Sequence, residues 1–282
     1  MNQFIPSPEQ TSIFDLVQQP DCPNLQINAT AGSGKSTTLR HLIEYLPKRV
    51  DSTGLPPSVI FLAFNKAIAE DLKAKVPQSI ECCTFNALGF RALRSFGVID
   101  RSVKVEAGKC MKYIWNALDR NDPDVVPISR LVGLAKSVPD QNVPWAAFIT
   151  AHDLDIENES QAIRVAQAVL QRSNTDLSVI DFNDQLYLPV IRNVPFTKFD
   201  YILVDEAQDT NPIQCEIIAR LCKPKSVIVT VGDRKQAIYG FRGASATAMD
   251  IMSQRFAMRE MPLSVSYRCA KNIVKEAQRY YK

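Results

Sequence analysis

The chain has 282 residues, of which 46% are hydrophobic and 22% are charged, and its net charge is +3. These values are ordinary for a globular protein, and the length allows one large domain or two modest ones. The charge is too small to indicate nucleic-acid binding by itself, so such a function would depend on local clusters of basic residues.

Cysteine usage and apolar runs exclude several classes of protein. The seven cysteines are an odd number without C-x-x-C spacing, which argues against a disulfide framework, a zinc ribbon and an iron–sulfur cluster. The start, "MNQFIPSPEQ", lacks the charged lead and apolar centre of a signal peptide. Apolar runs such as "VIFLAF" are too short to span a bilayer. We therefore expect a soluble protein without membrane contact, cytoplasmic or, in a eukaryote, nuclear.

The first predicted strand, "LQIN", leads into a phosphate-binding loop. The segment "NATAGSGKSTTLRHL" (28–42) places small residues and then Lys35 and Ser36 before a helix-forming run. Gly32 and Gly34 allow loop conformations that a side chain would block, so backbone N–H groups can converge on phosphate oxygens. Lys35 can reach the outer phosphates, and the hydroxyl of Ser36 can bind Mg²⁺.

One residue departs from the strict pattern of such a loop. Ala29 stands where glycine is expected. A turn of small residues that happens to contain Gly-Lys-Ser is therefore the alternative. The strand before the loop and the helix after it favour the nucleotide site.

Further along the chain, short apolar runs alternate with helical patterns. The runs "SVIFLAF", "SIECCTF", "FDYILVDEAQ" and "SVIVTVGD" resemble buried strands, and "NKAIAEDLKAKV" and "NPIQCEIIARLC" have helical periodicity. This alternation predicts an α/β fold with a parallel sheet that is covered on both faces. Residues 100–175 contain no convincing strand and four helical runs, which predicts a helical subdomain inserted into the α/β domain.

The run "FDYILVDEAQDTNP" ends a buried strand in two carboxylates, Asp205 and Glu206. A carboxylate at the carboxyl end of a parallel strand lies beside the phosphate loop in this architecture. We expect Asp205 to hold Mg²⁺, directly or through water, and Glu206 to orient and activate the attacking water. An acidic turn without chemistry is the alternative.

A further buried strand, in "SVIVTVGDRKQAIYGFRGA", is followed by Gln236, which is placed to contact the terminal phosphate and report its loss. Tyr239 and Phe241 are interleaved with basic residues, which suits a surface where bases stack and phosphates are neutralised. Two core aromatics among solvated arginines explain the same residues equally well, so composition leaves this point open.

Together these motifs resemble those of superfamily 1 DNA helicases of the UvrD/Rep type, including the related F-box DNA helicases. Their order and spacing match over nearly the whole chain, except in the helical insert, where length and character alone correspond. The resemblance implies a RecA-like P-loop NTPase that uses ATP and Mg²⁺ to move along single-stranded DNA or a junction of single and double strands. It also implies 3′-to-5′ movement, and it leaves RNA open as a substrate.

For the nucleotide, the resemblance adds residues outside the loop. Gln10, in "FIPSPEQTSIFD", would read the adenine edge, and Tyr267, in "LSVSYRCAKNI", would stack on adenine. Arg268 would reach the terminal phosphate as an arginine finger. The implied catalytic residues are Lys35, Glu206, Gln236 and Arg268. The implied nucleotide-binding residues are Gln10, Ala31, Gly32, Ser33, Gly34, Lys35, Ser36, Thr37 and Tyr267, and the implied metal ligands are Ser36 and Asp205.

For DNA, the resemblance implies three contact segments. In "FLAFNKAIAEDL", Phe64 replaces the usual threonine before Asn65 and Lys66. In "CCTFNALGFRALR", Asn86 replaces histidine, which keeps a donor but removes a titratable ring. The third segment has Phe241 where tryptophan is commoner. The predicted DNA contacts are Phe64, Asn65, Lys66, Thr84, Phe85, Asn86, Tyr239 and Phe241.

Three polar residues outside these sets have weaker interpretations. Gln208, in "VDEAQDTNP", is a predicted coupling residue between nucleotide and DNA. Asp181 and Asp184, in "DFNDQLYLPVI", also have counterparts in the family. A helix cap is the safer prediction for either aspartate.

The resemblance also predicts a division of the chain. Residues 1–99 and 176–258 would form the ATP-binding motor domain, 100–175 the inserted helical subdomain, and 259–282 the start of a second, incomplete RecA-like domain. A second motor half or a partner protein would supply the rest. Without it we predict weak ATP binding, slow hydrolysis and no duplex unwinding. The alternatives are a translocase that strips proteins from DNA and a regulatory ATP-binding module.

Overall fold

The computed structural model describes residues 4–48, 54–236, 247–268 and 270–280. Its helices are α1 (Pro8–Val17), α2 (Lys35–Tyr45), α3 (Lys66–Lys75), α4 (Phe85–Ser95), α5 (Lys109–Ile114), α6 (Val125–Ala135), α7 (Trp145–Ala151), α8 (Glu159–Thr175), α9 (Asp184–Ile191), α10 (Pro212–Arg220), α11 (Ala248–Arg255) and α12 (Lys271–Tyr280). Its strands are β1 (Leu25–Ala29), β2 (Val59–Ala63), β3 (Ile80–Thr84), β4 (Lys104–Val105), β5 (Val179–Ile180), β6 (Phe199–Val204), β7 (Cys222–Gly232) and β8 (Arg259–Leu263). Short 3₁₀ turns follow β6 and β7 at Ala207–Asp209 and Arg234–Gln236.

Six of the strands form one sheet in the order β3–β2–β6–β7–β1–β8. Each neighbouring pair is parallel. The strands β2 and β6 are apolar runs buried almost throughout, as expected where helices cover both faces of a parallel sheet. The prediction of an α/β fold with a parallel sheet is confirmed.

Apolar side chains form one core on each face of the sheet. Along β2, Ile60 and Leu62 belong to one core, whereas Val59, Phe61 and Ala63 belong to the other. This division follows from strand geometry, because successive side chains point to opposite faces. A third core lies within helices α5 to α8 and packs them against one another.

The strand β8 belongs to this same sheet. Its residues Arg259–Leu263 pair with Leu25–Ala29 of β1. The amide of Arg259 also donates to the carbonyl of Asn24 at 2.7 Å, and Leu263 is buried. The prediction that a second domain begins at residue 259 is therefore wrong for this strand. Its physical reason is that β1 offers an edge of backbone donors and acceptors that a further strand can satisfy.

Residues 100–175 contain the helices α5 to α8, at the positions of the four predicted helical runs. They also contain a strand that the sequence analysis did not predict. Lys104–Val105 pairs in parallel with Val179–Ile180, which lies after the helices. Two residues of extended chain are too few to produce the alternating pattern by which a strand is identified.

The helices of the described ranges are too short or too polar to cross a membrane. Within the same ranges, no group of three or more His, Cys, Asp or Glu side chains is arranged to hold a metal ion. The six described cysteines are free thiols. Burial raises the pKa of the Cys83 thiol to about 12, which keeps it protonated at neutral pH.

Candidate nucleotide site and nucleic-acid face

The phosphate loop lies between β1 and α2. Gly32 and Gly34 have φ values of +75° and +82°, a conformation that residues with a side chain rarely adopt. Because α2 begins at Lys35, its first N–H groups and partial positive charge face the loop. The hydroxyl of Ser33 is buried and has no hydrogen-bond partner among the described residues. The loop therefore offers a hydroxyl and helix-terminal N–H groups, which are the donors that phosphate oxygens bind.

The segment after β8 docks on this loop. The amide of Tyr267 donates to the carbonyl of Gly32 at 2.9 Å, and the hydroxyl of Ser266 donates to the carbonyl of Ala31 at 2.7 Å. A Cβ on Gly32 would lie 2.5 Å from the Cβ of Arg268, so this close packing also requires glycine. Hydrogen bonds within the chain thus bring Arg268 to the loop.

Two carboxylates follow the last residue of β6. The hydroxyl of Ser36 donates to Asp205 Oδ2 at 2.6 Å, and Lys35 Nζ donates to Glu206 Oε2 at 2.5 Å. Glu206 has a φ of +50°, which is uncommon for a residue other than glycine and is concentrated at functional sites. The side chains of Lys35 and Glu206 are 11% and 26% exposed, so this ion pair borders solvent.

Asp205 is suited to hold a divalent cation. Burial raises the pKa of its carboxyl, and the charge of Glu206 adds to the rise, whereas the hydrogen bond from Ser36 opposes it. A cation beside the carboxylate would favour the ionised form. Mg²⁺ is commonly held by one or two carboxylates together with substrate phosphates. Asp205 and Ser36, next to the phosphate loop, fit this pattern.

These groups surround one cleft of about 330 Å³, a size at the lower end of the range for small-molecule sites. Two cations, Lys35 and Arg268, line it together with Glu206 and Gln236. The complete lining is Gly32, Gly34, Lys35, Ser36, Thr37, Glu206, Gln236 and Arg268. The four predicted catalytic residues therefore meet at the predicted phosphate loop, although they are far apart in sequence.

A relay of hydrogen bonds connects the ends of β6 and β7. Gln208 Nε2 donates to Glu206 Oε2 at 2.8 Å, and Gln208 Oε1 accepts from the amide of Asp233 at 3.0 Å. Gln236 Nε2 then donates to Asp233 Oδ2 at 2.7 Å. A Cβ on Gly232 would lie 2.6 Å from Gln208 Oε1, so glycine permits this approach. The sequence analysis missed Asp233, although its place directly after a strand and beside Gln236 is the signal that indicates it.

The predicted adenine-binding residues have different surroundings. Gln10 is buried, its Nε2 donates to Thr38 Oγ1 at 2.9 Å, and its Oε1 accepts from the amide of Ser7 at 2.9 Å. Its amide group therefore joins α1 to α2, and a contact with adenine would use the other N–H or the other lone pair of this amide. Tyr267 is exposed next to the loop. Both adenine contacts stay predictions.

Two of the chain segments that are predicted to contact DNA follow β2 and β3, which are neighbours in the sheet. Because parallel strands present their carboxyl ends at one edge, the two segments lie side by side. Asn65 and Lys66 are exposed and Phe64 is half-buried. Asn65 Oδ1 accepts from the amide of Ile68 and thereby caps α3.

The polar residues of the second segment have partners within the protein. Thr84 Oγ1 accepts from the amide of Ala87 at 3.1 Å and caps α4. Asn86 Nδ2 donates to the carbonyl of Phe182 at 2.7 Å. Phe182 is thereby fixed beside a predicted DNA contact.

One of the predicted aromatic DNA contacts has a buried side chain. Phe85 is buried in the core on one face of the sheet. The ring points inward because α4 turns this first residue toward the core, between two less buried neighbours. The predicted contact of Phe85 with DNA stays a prediction, and it would have to be made by the backbone. The predicted contacts Tyr239 and Phe241 lie outside the described residues.

Comparison with known proteins supplies the family. The profile of the UvrD/REP helicase N-terminal domain matches residues 9–257. The chain belongs to the UvrD/REP helicase N-terminal domain family. The matched UvrD/REP region contains the phosphate loop, both carboxylates and Gln236, and the resemblance inferred from the motifs is confirmed.

Relatives of this UvrD/REP domain are longer proteins. The chain is 29% identical to the ATP-dependent DNA helicase PcrA of Leuconostoc citreum, over 93% of the chain and 37% of PcrA. It is 25% identical to F-box DNA helicase protein 1 of Schizosaccharomyces pombe, over 90% of the chain and 30% of that protein. It therefore spans about a third of these relatives' length. A crystal structure of Pif1 helicase from Bacteroides with ADP-AlF3 and ssDNA matches 99% of the chain and 48% of the Pif1 chain, with 14% identity and a TM-score of 0.43.

Proposed function

We propose that this chain hydrolyses ATP to move along single-stranded DNA, as one half of a helicase or translocase motor. The observation that carries the proposal is the meeting of Lys35, Glu206, Gln236 and Arg268 around one cleft at a phosphate loop. The named relatives, both DNA helicases, support the choice of DNA as substrate. RNA remains the alternative to be tested beside it.

The side chains of the cleft suit phosphoryl transfer to water. When nucleotide binds, Lys35 would leave its ion pair with Glu206 and pair with the outer phosphates. Glu206 would then be free to orient the attacking water and accept its proton. Ser36 and Asp205 would hold Mg²⁺, which neutralises phosphate charge when bound. Arg268 would add a second positive charge at the terminal phosphate. Positioning and charge neutralisation would therefore provide most of the rate.

The relay of hydrogen bonds from Glu206 to Gln236 would couple ATP hydrolysis to DNA binding. Loss of the terminal phosphate would remove a contact of Gln236, which directly precedes in sequence the segment with the predicted DNA contacts Tyr239 and Phe241. The segments after β2 and β3 lie at the same edge of the sheet as Glu206, because all these strands are parallel. Repeated release and rebinding of DNA at this edge would move the protein along the DNA strand, in the 3′-to-5′ direction that the family resemblance implies.

The proposed organisation keeps most of the predicted division. Residues 1–99 and 176–258, extended by strand β8, would form the motor domain, and residues 100–175 the helical insert. A second RecA-like half would close the cleft and supply a further arginine. The rest of a longer protein or a separate partner would provide it, in agreement with the greater length of the relatives.

The decisive experiment measures three quantities on the 282-residue chain: binding of a fluorescent ATP analogue, ATP hydrolysis with and without single-stranded DNA or RNA, and unwinding of a partial duplex. We expect Mg²⁺-dependent binding, slow hydrolysis that DNA stimulates, and no unwinding until a second motor half is added. A chain that does not bind nucleotide would refute the proposed site. Hydrolysis that DNA leaves unchanged would favour the regulatory ATP-binding module.

A further inference from the structure

Four charged side chains are buried together where helices α5 to α8 meet the sheet domain. Lys109 and Asp184 have no exposed surface, and Lys136 and Asp181 are 1% and 6% exposed. Such side chains are almost never buried to this degree unless they are paired. We call these four residues the charge cluster, and its two positive and two negative charges balance.

Each member of the charge cluster has several partners. Lys136 Nζ lies 2.6 Å from Asp181 Oδ2 and 2.7 Å from Asp184 Oδ1. Lys109 Nζ lies 2.7 Å from Asp184 Oδ2 and donates to the carbonyl of Ser173 at 2.8 Å. Lys136 Nζ also donates to the hydroxyl of Ser173 at 2.9 Å. The cluster therefore connects α5, the end of α6 and α8 to the start of α9.

Stability alone does not account for four buried charges. Buried ion pairs are costly to desolvate, and apolar residues of similar volume often replace them without loss of stability. Burial by itself would lower the pKa of Lys136, but Asp184 and Asp181 outweigh it and raise that pKa. Lys136 in turn outweighs the burial of Asp181 and lowers the pKa of this carboxyl. Lys136 and Asp181 are thus held ionised. The directional contacts of the cluster fix how the helices meet.

The two aspartates enclose a turn that reaches the predicted DNA face. The amide of Asp184 donates to Asp181 Oδ1 at 2.7 Å, and the amide of Asp181 donates to Asp184 Oδ2 at 3.1 Å, so these side chains close the turn themselves. Between them lie Asn183 and Phe182, whose side chain is 58% exposed. The carbonyl of Phe182 accepts the hydrogen bond from Asn86. The turn therefore orients a predicted DNA contact.

Helix α9, which follows this turn, packs tightly against α4, the helix of the same predicted DNA-contact segment. A Cβ on Gly89 of α4 would lie 1.9 Å from the carbonyl oxygen of Gln185 in α9, so the two helices touch through their backbones. Asn86 lies in the first turn of α4. On the other side, the amide of Ile213 at the start of α10 donates to the carbonyl of Ser137 at 2.8 Å, next to the cluster. A shift of the cluster would therefore reach both α4 and α10.

We propose that Lys109, Lys136, Asp181 and Asp184 are positioning residues that lock the helical segment onto α9 and hold the 181–184 turn so that Asn86 faces DNA. The consequence for DNA rests on the proposed function, whereas the consequence for the turn does not. None of the four lines the nucleotide cleft. Loss of the lock should therefore weaken DNA binding without weakening nucleotide binding.

The test uses the double variant Lys136→Met/Asp181→Asn, which removes one positive and one negative charge, and with them both ion pairs of Lys136. The pair of Lys109 and Asp184 remains, so the buried charge stays balanced. Hydrogen–deuterium exchange is measured at the amides of residues 184, 186 and 187, each of which donates to the turn. Binding of a single-stranded oligonucleotide and of a fluorescent ATP analogue is measured on the same preparation. We expect faster exchange, DNA affinity reduced by roughly 5- to 30-fold, and unchanged nucleotide affinity.

The control is Lys223→Met/Asp200→Asn, at a more exposed pair. It removes another lysine–aspartate pair, of 2.7 Å, at the opposite edge of the sheet, where β6 begins. Exchange at the turn and affinity for DNA should both match the unsubstituted protein. If the control loosens the turn equally, general destabilisation explains the effect and the proposal is overturned.

The remaining outcomes are also decisive. Unchanged exchange at the turn in a folded double variant overturns the lock, and faster exchange with full DNA affinity overturns its role in positioning Asn86. If the unsubstituted chain binds nucleotide but no DNA, the proposed function fails while the exchange result still decides the lock. Should the double variant not fold, Lys136→Arg keeps the charge but changes the geometry, and it must speed exchange at the same amides for the proposal to stand.

Discussion

Two sets of lysine–carboxylate pairs in this protein have opposite surroundings. In the cleft, Lys35 and Glu206 pair beside solvent, the backbone of Glu206 is left-handed, and the nearby hydroxyl of Ser33 has no partner among the described residues. In the charge cluster, Lys136 and Asp184 are buried and each meets more than one partner. The same residue types therefore serve different purposes in the two places.

The difference indicates how a protein leaves some charges accessible to a ligand and pairs others in its interior. A charge that must act on a ligand, such as that of Lys35, has a partner that the ligand can replace, and it faces an opening. A charge that holds structure has its bonds completed inside the protein, where exchange with water or ligand is excluded. Removal of a cleft charge should therefore affect chemistry, and removal of a cluster charge should affect folding and geometry.

The largest expected effect is that of Lys35→Ala on ATP turnover. Loss of a cation at the transferring phosphoryl group should reduce hydrolysis by roughly 10³- to 10⁵-fold and also weaken nucleotide binding. The melting temperature should hardly change, because the Lys35–Glu206 pair borders solvent. Hydrolysis, nucleotide titration and thermal unfolding check this, with Lys75→Ala, from an exposed pair with Asp71, as the control. Unchanged turnover would show that the loop is not part of the nucleotide site.

Glu206→Gln should separate binding from chemistry. The amide keeps the size of the side chain and most hydrogen bonds but cannot accept the proton of water, so hydrolysis should fall by roughly 10²- to 10⁴-fold. Affinity for the ATP analogue with Mg²⁺ should be retained, because Asp205 and Ser36 are untouched. Single-turnover hydrolysis and equilibrium titration measure the two. A variant that hydrolyses normally would show that Glu206 is not the base.

In the charge cluster, Lys136→Met should reduce the free energy of unfolding by about 3–5 kcal/mol. The substitution leaves the buried carboxylates of Asp181 and Asp184 with Lys109 as the one lysine of the cluster to balance them. The double variant Lys136→Met/Asp181→Asn should recover most of this loss. Urea unfolding followed by circular dichroism measures both. Equal stability of the single and double variants would contradict the view that the buried charges must balance.

The smallest expected effect is the dependence of stability on pH. Because the folded-state pKa of Asp181 lies below its ordinary value of 3.8, its contribution is complete above that value and is lost as the pH falls through the lower one. The pKa of Lys136 is raised above 10.5, so its contribution is lost only at more alkaline pH. The stability difference between the unsubstituted protein and the double variant should therefore be constant from about pH 5 to 9 and shrink below pH 4. Urea unfolding across this range tests the window, and a change centred near neutral pH would contradict it.

The sequence predicts the nucleotide cleft well and the charge cluster poorly, for physical reasons. The phosphate loop and the carboxylates of β6 depend on local order, in which a strand, a loop and a helix follow one another. The cluster depends on distant pairing, since Lys109 and Asp184 are 75 residues apart and Lys136 and Asp181 are 45 apart. Lysines of an amphipathic helix are normally expected at its solvated face. Asp181 accepts a hydrogen bond from the amide of Asp184, the first residue of α9, but the N-cap of that helix is Asn183, and the lysine partner of Asp181 was not foreseen.

Tertiary contacts also decide where β8 and the ring of Phe85 lie. A strand pattern identifies β8 as a strand but does not state its neighbour, and that neighbour, β1, lies more than 200 residues earlier in the chain. A motif likewise names Phe85 without giving the direction of its ring, which the packing of α4 on the sheet determines.

The placement of β8 has a consequence for aggregation. The strand that leads into the phosphate loop, β1, would be an open edge without it, because β8 is its outer neighbour. The strand β8 is better suited to face water, since Arg259, Glu260 and Pro262 are exposed along it, and charges and proline discourage pairing with another chain. A shorter version of the protein that ends before residue 259 would leave the backbone N–H and C=O groups on that edge of β1 unpaired. Intermolecular pairing would then begin at the strand that presents the nucleotide loop, so solubility and ATP binding would be lost together.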